Sequence, residues 1–194
     1  MEPIIFASNN KHKLDELRAV AGNRLSIISL KEAGIDTEIA EPWNTFRENA
    51  LEKCTVINRL TGRDCFSEDS GLEVDALGGA PGVFSARFAG SPTNHDNNIA
   101  LLLERMKDKT VRTARFRAVI CYLQKGEPHF FEGICEGIIS TERIGDNGFG
   151  YDPVFIPEGY TETFAQMNSS LKNELGHRKK AFDQLFRFLL NDKE

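Results

Sequence analysis

The sequence lacks the features that mark secreted, membrane and metal-thiolate proteins. Its four cysteines, Cys54, Cys65, Cys121 and Cys135, form no C-x-x-C pair, so we expect free thiols and no zinc site. The first residues, "MEPIIFASNNKHK", have neither a basic leader nor a long apolar core, and they do not resemble a secretory signal. No apolar run approaches the roughly 20 residues that a membrane span needs. Together these absences predict a cytoplasmic protein with no membrane partner.

The chain also lacks an excess of positive charge. Its 194 residues include 24 basic and 29 acidic side chains, which gives a net charge of −5. A generic nucleic-acid surface is basic, so we expect no nucleic-acid partner, although the balance leaves room for a local basic pocket. Hydrophobic residues make up 40% of the chain and charged residues 27%, as in ordinary globular proteins. The length predicts a single domain covering residues 1–194.

The first thirty residues read as strand, helix, strand. "PIIFAS" (Pro3–Ser8) is a short apolar run typical of a buried strand. Leu14 and Leu17 then have helical spacing, and Gly22 is a typical end of a helix. "LSIISL" (Leu25–Leu30) predicts a second strand. This order favours an α/β fold with a parallel pair of strands.

The remaining patterns extend this to a mixed, partly parallel twisted sheet with flanking helices. Thr45 and Glu48 have the spacing of a capping box, so they predict the start of a helix over Thr45–Gly62. "DCFSED" predicts a strand that ends at an acidic pair. We also expect helices at 94–107 and 177–191, and a hairpin around "KGEP" within 112–140. These predicted elements favour an elongated two-lobed domain with a central cleft.

Three local patterns suggest chemistry, and each has an ordinary structural alternative. Two adjacent carboxylates, Glu68 and Asp69, precede a glycine-rich loop in "SEDSGLEVDALGGAPG", which predicts either a divalent metal site or a polar turn. Cations crowd two helix starts, in "SNNKHK" and "GHRKKA", where the helix dipole favours acids. A cation at a helix start therefore costs some helix stability. A bound anion would turn that cost into a gain, whereas cations on a solvated face would need no ligand. The aromatics of "NGFGYDP" predict either a platform for a base or a small core cluster.

Taken together and in order, four stretches resemble one family. They are "SNNKHK", "SEDSGL…GGAPGVFSAR", "GFGYDP" and a lysine followed five residues later by "HR". The chain resembles the inosine/xanthosine triphosphate pyrophosphatases, which remove noncanonical purine nucleotides, and the match covers nearly its whole length. The resemblance implies an elongated mixed α/β fold with a central cleft, Mg²⁺ as cofactor, a homodimer and the release of pyrophosphate from ITP, dITP and XTP.

The resemblance also implies roles for individual residues. Those that would hold the triphosphate are Ser8, Asn9, Asn10, Lys11, His12, Lys13 and Ser70. Asp69 would be the catalytic carboxylate and would share the metal with Glu41, although Glu38 is close enough to serve instead. Those that would line the base or reach its edge are Phe149, Gly150, Tyr151, Asp152, Lys172, His177 and Arg178.

Two positions depart from the family pattern. Glu68 stands where the family usually has Asp, so its metal contact would be direct or through water. Gly176 stands where the family usually has Ser, which keeps the cap geometry but loses a hydroxyl. Two other functions stay open at this point: a nucleotide-binding domain without catalysis, and a pyrophosphatase acting on pyrimidine nucleotides.

Overall fold

The computed structural model describes residues 3–191, and these residues form five α-helices and six strands, besides three short 3₁₀-helices. The helices are α1 (Lys11–Ala21), α2 (Phe46–Thr61), α3 (His95–Met106), α4 (Ser169–Leu175) and α5 (His177–Asn191). The strands are β1 (Ile4–Phe6), β2 (Ile27–Ile28), β3 (Cys65–Val74), β4 (Thr113–Gln124), β5 (Glu127–Ile139) and β6 (Phe155–Pro157). Within the described range, no helix is both long and apolar enough to cross a membrane.

All six strands belong to one mixed sheet with the order β2-β1-β3-β4-β5-β6. Strand β1 pairs in parallel with β2 and with β3, and β5 pairs antiparallel with β6. Lys125 and Gly126 form the two-residue turn between β4 and β5, both with positive φ. That geometry suits a tight hairpin, which requires antiparallel strands. The predicted mixed α/β fold is confirmed.

The chain divides into two compact units. Unit 1 comprises the described parts of Met1–Asp69, Ala118–Gly133 and Arg178–Glu194, and unit 2 comprises Ser70–Arg117 and Ile134–His177. Strands β3, β4 and β5 contribute residues to both units. The single domain, the elongated shape and the cleft stay predictions.

The core of unit 1 lies on both faces of its part of the sheet. Phe66 of β3 packs in a cluster with residues of α1 and α5, whereas its neighbour Cys65 packs in another cluster with residues of α2. Successive side chains of a strand point to opposite faces, so this alternation continues along β3. Residue 68 therefore faces α1 and α5, and residue 69 faces α2.

Several predicted elements differ from the structure in extent. The predicted cap of α2 is confirmed, since the side chain of Thr45 accepts a hydrogen bond from Glu48 N. At α1 the side chain of Asn10 accepts a hydrogen bond from Lys13 N. The second strand is only Ile27–Ile28, shorter than the apolar run that predicted it. Strand β3 does not end at the acidic pair but continues to Val74. Helix α4 was not predicted, because its seven residues are too few to show a clear periodic pattern.

Candidate active site

The acidic pair lies in the middle of a buried strand and not in a polar turn. Glu68 is 1% exposed and Asp69 is 4% exposed. Because they are consecutive residues of β3, their carboxylates point to opposite faces of the sheet. The pair therefore forms two separate charge clusters within unit 1.

The Asp69 cluster is built on α2 and on the segment before it. The Asn49 amide donates a hydrogen bond to Asp69 Oδ2 at 3.0 Å. The Lys53 ammonium lies 2.6 Å from Glu41 Oε1 and 3.7 Å from Asp69 Oδ1, and it donates a hydrogen bond to the backbone oxygen of Glu68 at 3.0 Å. One buried cation thus joins the two carboxylates predicted to hold the metal.

Burial and charge act against each other in this cluster. Burial raises the pKa of Asp69, and the nearby charges of Lys53 and Lys13 offset that rise only in part. For Lys53, burial opposes the ammonium, but the negative charges of Asp69 and Glu41 outweigh it and raise its pKa. A further cation placed among these oxygens would stabilise the ionised form of Asp69.

The donor set fits Mg²⁺. Glu41 and Asp69 both direct an oxygen at the same cation, and Mg²⁺ prefers oxygen ligands, usually one or two carboxylates completed by water and phosphate oxygens. Among residues 3–191 no three His, Cys, Asp or Glu side chains form a fuller metal-binding group. Glu38 is exposed, whereas Glu41 is half-buried, so the contact with Lys53 favours Glu41 of the two.

The Glu68 cluster joins the two cation-rich helix starts. Glu68 Oε2 lies 2.7 Å from the Lys13 ammonium, and Glu68 Oε1 lies 3.3 Å from Arg178 Nε. Arg178 Nη1 also contacts Glu16 Oε2 of α1 at 2.8 Å. The acceptors that these cations need at a helix N-terminus are therefore protein carboxylates. Glu68 faces away from Glu41, so its role here is to hold two cations.

The predicted phosphate loop is organised by its own side chains. Ser8 Oγ accepts a hydrogen bond from Asn10 N at 3.1 Å, and Asn10 Oδ1 accepts one from Lys13 N at 3.2 Å. Asn9 Oδ1 accepts a hydrogen bond from Lys31 N at 2.9 Å, which ties the loop to the segment after β2. The exposed side chains of the loop and first turn are Asn9, Asn10, Lys11 and His12.

In unit 2 the predicted base residues surround Asp152. Asp152 Oδ2 accepts hydrogen bonds from Phe149 N at 2.8 Å and from the Lys172 ammonium at 2.7 Å. The same ammonium lies 4.8 Å from the centre of the Phe149 ring, a cation–π contact. Gly148 has a φ of +78°, and a Cβ there would come within 2.1 Å of Asp152 Oδ2, so the loop requires glycine. Asp152 therefore fixes both the ring and the lysine.

Four other predicted residues of unit 2 have different environments. Tyr151 is buried in the core and donates its hydroxyl to the backbone oxygen of Ser85 at 2.9 Å, which matches the core alternative for its side chain. Burial raises the pKa of that hydroxyl. The His177 ring is buried and stacks on Phe116 at 5.0 Å. Gly150 and Ser70 are half-buried, and Ser70 follows Asp69 directly in β3.

Three residues of these clusters were not predicted from the sequence: Asn49, Lys53 and Glu16. A signal for the first two was present. The buried residues of α2 recur at helical spacing: Phe46, Asn49, Ala50, Lys53, Cys54 and Ile57. A lysine and an asparagine on the buried face of a helix need polar partners, so their spacing could have indicated the site. Glu16 lies on a polar stretch of α1 and gave no such signal.

Comparison with known proteins gives a consistent result over nearly the whole chain. Residues 4–188 match the model of the Ham1 family. A relative named dITP/XTP pyrophosphatase from Porphyromonas gingivalis is 48% identical over 191 residues, covering 98% of each chain. A relative of the same name from Flavobacterium psychrophilum is 44% identical and covers 97% of this chain and 99% of its own. The solved structure of a HAM1 protein from Coxiella burnetii, 35% identical, has a TM-score of 0.91 over 98% of this chain and 100% of its own. This chain therefore belongs to the Ham1 family.

Proposed function

We propose that the protein hydrolyses noncanonical purine nucleoside triphosphates (dITP, ITP and XTP) to the monophosphate and pyrophosphate, and that it uses Mg²⁺. The observation that carries the proposal is the pair of contacts made by Glu68. One carboxylate holds Lys13, predicted to bind phosphate, at 2.7 Å and Arg178, predicted to read the base, at 3.3 Å. Because one carboxylate contacts both cations, Lys13 and Arg178 lie close enough for a single ligand to meet the first with its anionic chain and the second with its acceptor-rich base. The names of the curated relatives support dITP and XTP as substrates.

The triphosphate would bind at the start of α1. Backbone N–H groups at a helix N-terminus point at a bound anion, and the helix dipole favours negative charge there. The side chain of Lys13 supplies a full positive charge at that end. The same groups would neutralise the pyrophosphate as it leaves.

Glu41 and Asp69 would hold Mg²⁺. When bound, a divalent cation polarises the phosphoryl group and acidifies water. Asp69, or a water that it orients, would direct attack on the α-phosphorus, which makes pyrophosphate the leaving group. Lys53 would keep the charge around Asp69 balanced as the anionic substrate enters.

Selection of the base would follow from hydrogen-bond chemistry. Arg178 and Lys172 are donors only, so either could bond the oxygen at C6 of hypoxanthine or xanthine. Adenine has an amino group at that position and would leave a buried donor without an acceptor. A site built in this way can reject the wrong base by about 10⁴-fold or more.

We also propose that the protein is a homodimer and that it is cytoplasmic. The homodimer rests on the resemblance alone, and light scattering coupled to size-exclusion chromatography measures it. The cytoplasmic location is supported by the four cysteines, all of which are free thiols.

The experiment is a panel of nucleoside triphosphates assayed with Mg²⁺ for pyrophosphate and for phosphate separately. We expect pyrophosphate from dITP, ITP and XTP, and much slower release from dATP and the pyrimidine triphosphates. Binding of dITP with no hydrolysis would instead indicate a nucleotide-binding domain. Fast hydrolysis of pyrimidine triphosphates would indicate a different pyrophosphatase.

A further inference from the structure

Asn49 connects the two proposed metal carboxylates through one buried amide. It is 0% exposed and lies on the first turn of α2. Its Nδ2 donates to Asp69 Oδ2 at 3.0 Å and to the backbone oxygen of Trp43 at 3.1 Å. Its Oδ1 accepts a hydrogen bond from Trp43 N at 3.0 Å. Trp43 is two residues after Glu41, so the amide holds the segment that carries one carboxylate while it contacts the other.

We infer that Asn49 is a positioning residue that sets Glu41 and Asp69 in register with each other. This inference rests on the proposed function, since it assigns the two carboxylates to the same reacting centre. The amide uses both of its N–H donors and its acceptor oxygen, a planar combination that only asparagine and glutamine provide, and the glutamine side chain is one methylene longer. A shift of about 1 Å in a reacting group can cost about 10²-fold in rate, so a residue that fixes two such groups is expected to affect catalysis.

Asn98 is a useful comparison, because it is a buried asparagine whose hydrogen bonds serve structure alone. Asn98 is also buried near the start of a helix, α3, and bonds a preceding segment. Its Oδ1 accepts from Ala89 N at 2.7 Å, and its Nδ2 donates to the backbone oxygens of Ser85 and Ala86 at 3.3 and 3.0 Å. All of its bonds go to backbone. Asn49 differs because one of its donated bonds goes to a carboxylate.

Two variants separate the two functions of the amide. Asn49→Ala removes all three bonds. Asn49→Asp keeps the size and the oxygen that accepts from Trp43 N, but it replaces the group that donates to Asp69 and to the backbone oxygen of Trp43 with a second acceptor. The control is Asn58→Ala, which removes a hydrogen bond from the same helix to the backbone oxygen of Arg63.

Two readouts are combined. The first is steady-state hydrolysis of dITP at a series of Mg²⁺ concentrations. The second is acrylamide quenching of Trp43 fluorescence, measured without substrate or metal; Trp43 is the one tryptophan in the chain, so the signal reports on the Glu41 segment alone.

We expect Asn49→Ala to lower kcat by about 10- to 100-fold, with KM for dITP changed less, and to raise the Mg²⁺ concentration for half-maximal rate. Quenching of Trp43 should become stronger. Asn49→Asp should lose kcat to a similar extent while its quenching stays closer to the wild type. Asn58→Ala should lower the melting temperature and leave both readouts unchanged.

The inference is overturned if folded Asn49→Ala keeps kcat within about twofold of the wild type, or if it loses activity only in proportion to its folded fraction. If Asn49→Ala does not fold, an unchanged kcat in Asn49→Asp overturns it equally. If the wild-type protein does not hydrolyse dITP, the proposed function fails, and the quenching of the Asn49 variants against Asn58→Ala still decides whether the amide holds the segment.

Discussion

The ammonium of Lys53 lies 2.6 Å from the carboxylate of Glu41, and the same ammonium lies 3.7 Å from Asp69. Its side chain is only 8% exposed, so a buried positive charge holds two negative ones together. Removing one partner of a buried ion pair leaves charge without compensation, and this is strongly destabilising.

We therefore expect Lys53→Met to lower the free energy of unfolding by about 3 kcal/mol near neutral pH. Mg²⁺ should restore part of the loss, because a divalent cation can replace the missing charge. Denaturant unfolding with and without Mg²⁺ measures both effects. The control is Lys53→Met combined with Glu41→Gln, which removes the extra negative charge and should recover stability without metal. Equal Mg²⁺ effects on wild type and on Lys53→Met would contradict the proposed metal position.

Asp69→Asn should separate catalysis from folding. In this variant Glu41 still lies 2.6 Å from Lys53 and compensates its charge, so the loss of stability should be smaller than for Lys53→Met. We expect kcat to fall by at least about 10²-fold, because a metal carboxylate or general base contributes an effect of that order. Kinetics and a thermal melt of the same preparation test this. Near-normal turnover in the folded variant would remove Asp69 from the mechanism.

Arg178→Gln should narrow the selectivity between bases. The variant loses a charge-assisted hydrogen bond, so kcat/KM for dITP and XTP should fall by the equivalent of about 1–3 kcal/mol. A glutamine amide can also accept a hydrogen bond from the amino group of adenine, so the rate with dATP should fall less or rise.

Glu16→Gln is the matched control for Arg178→Gln. It removes a carboxylate that contacts Arg178 at 2.8 Å but keeps the guanidinium, so selectivity should change little. An equal loss of activity for all triphosphates in Arg178→Gln would show that Arg178 serves phosphate binding or structure, and not base selection.

Glu32 should make stability depend on pH. A hydrogen bond from the backbone of Ser29, together with bonds from Arg18 and the Ser29 hydroxyl, lowers its pKa from 4.5 to about 2. Because the folded pKa lies below the unfolded one, the contribution is fully present above about pH 4.5 and is lost as the pH falls towards about 2. The hydrogen bonds of Glu32 also support the segment in which Lys31 N donates a hydrogen bond to Asn9 of the phosphate loop.

We expect Glu32→Gln to melt at a lower temperature than the wild type at neutral pH. The difference between the two melting temperatures should shrink as the pH falls from about 4.5 to about 2. Thermal melts at a series of acid pH values measure this difference. Glu38→Gln, a change at an exposed residue, is the control. A difference that is constant with pH would mean that the ionised carboxylate is not what stabilises this segment.

Local signals in the sequence were enough for the helix starts but not for the charge clusters. Thr45 and Glu48, or Asn10 alone, fix a helix N-terminus through neighbours within three residues, so their roles could be predicted from spacing. The partners of Glu68 are Lys13 and Arg178, which come from distant parts of the chain. No local pattern indicates such a contact.

The extent of β3 explains the largest difference between the predicted site and the observed one. The acidic pair was expected at the end of a strand, where both carboxylates could reach one metal. Because the strand continues to Val74, Glu68 and Asp69 face opposite sides of the sheet. Glu41 and Asp69 then share Lys53, while Glu68 pairs with Lys13 and Arg178.

The most direct test of the central claim is the position of the bond that breaks. Hydrolysis of dITP with Mg²⁺ in ¹⁸O-labelled water, followed by mass spectrometry of the products, shows which phosphorus is attacked. Attack on the α-phosphorus predicts one ¹⁸O atom in the nucleoside monophosphate and none in the pyrophosphate. Label in pyrophosphate or in free phosphate, or the appearance of a nucleoside diphosphate, would contradict the account.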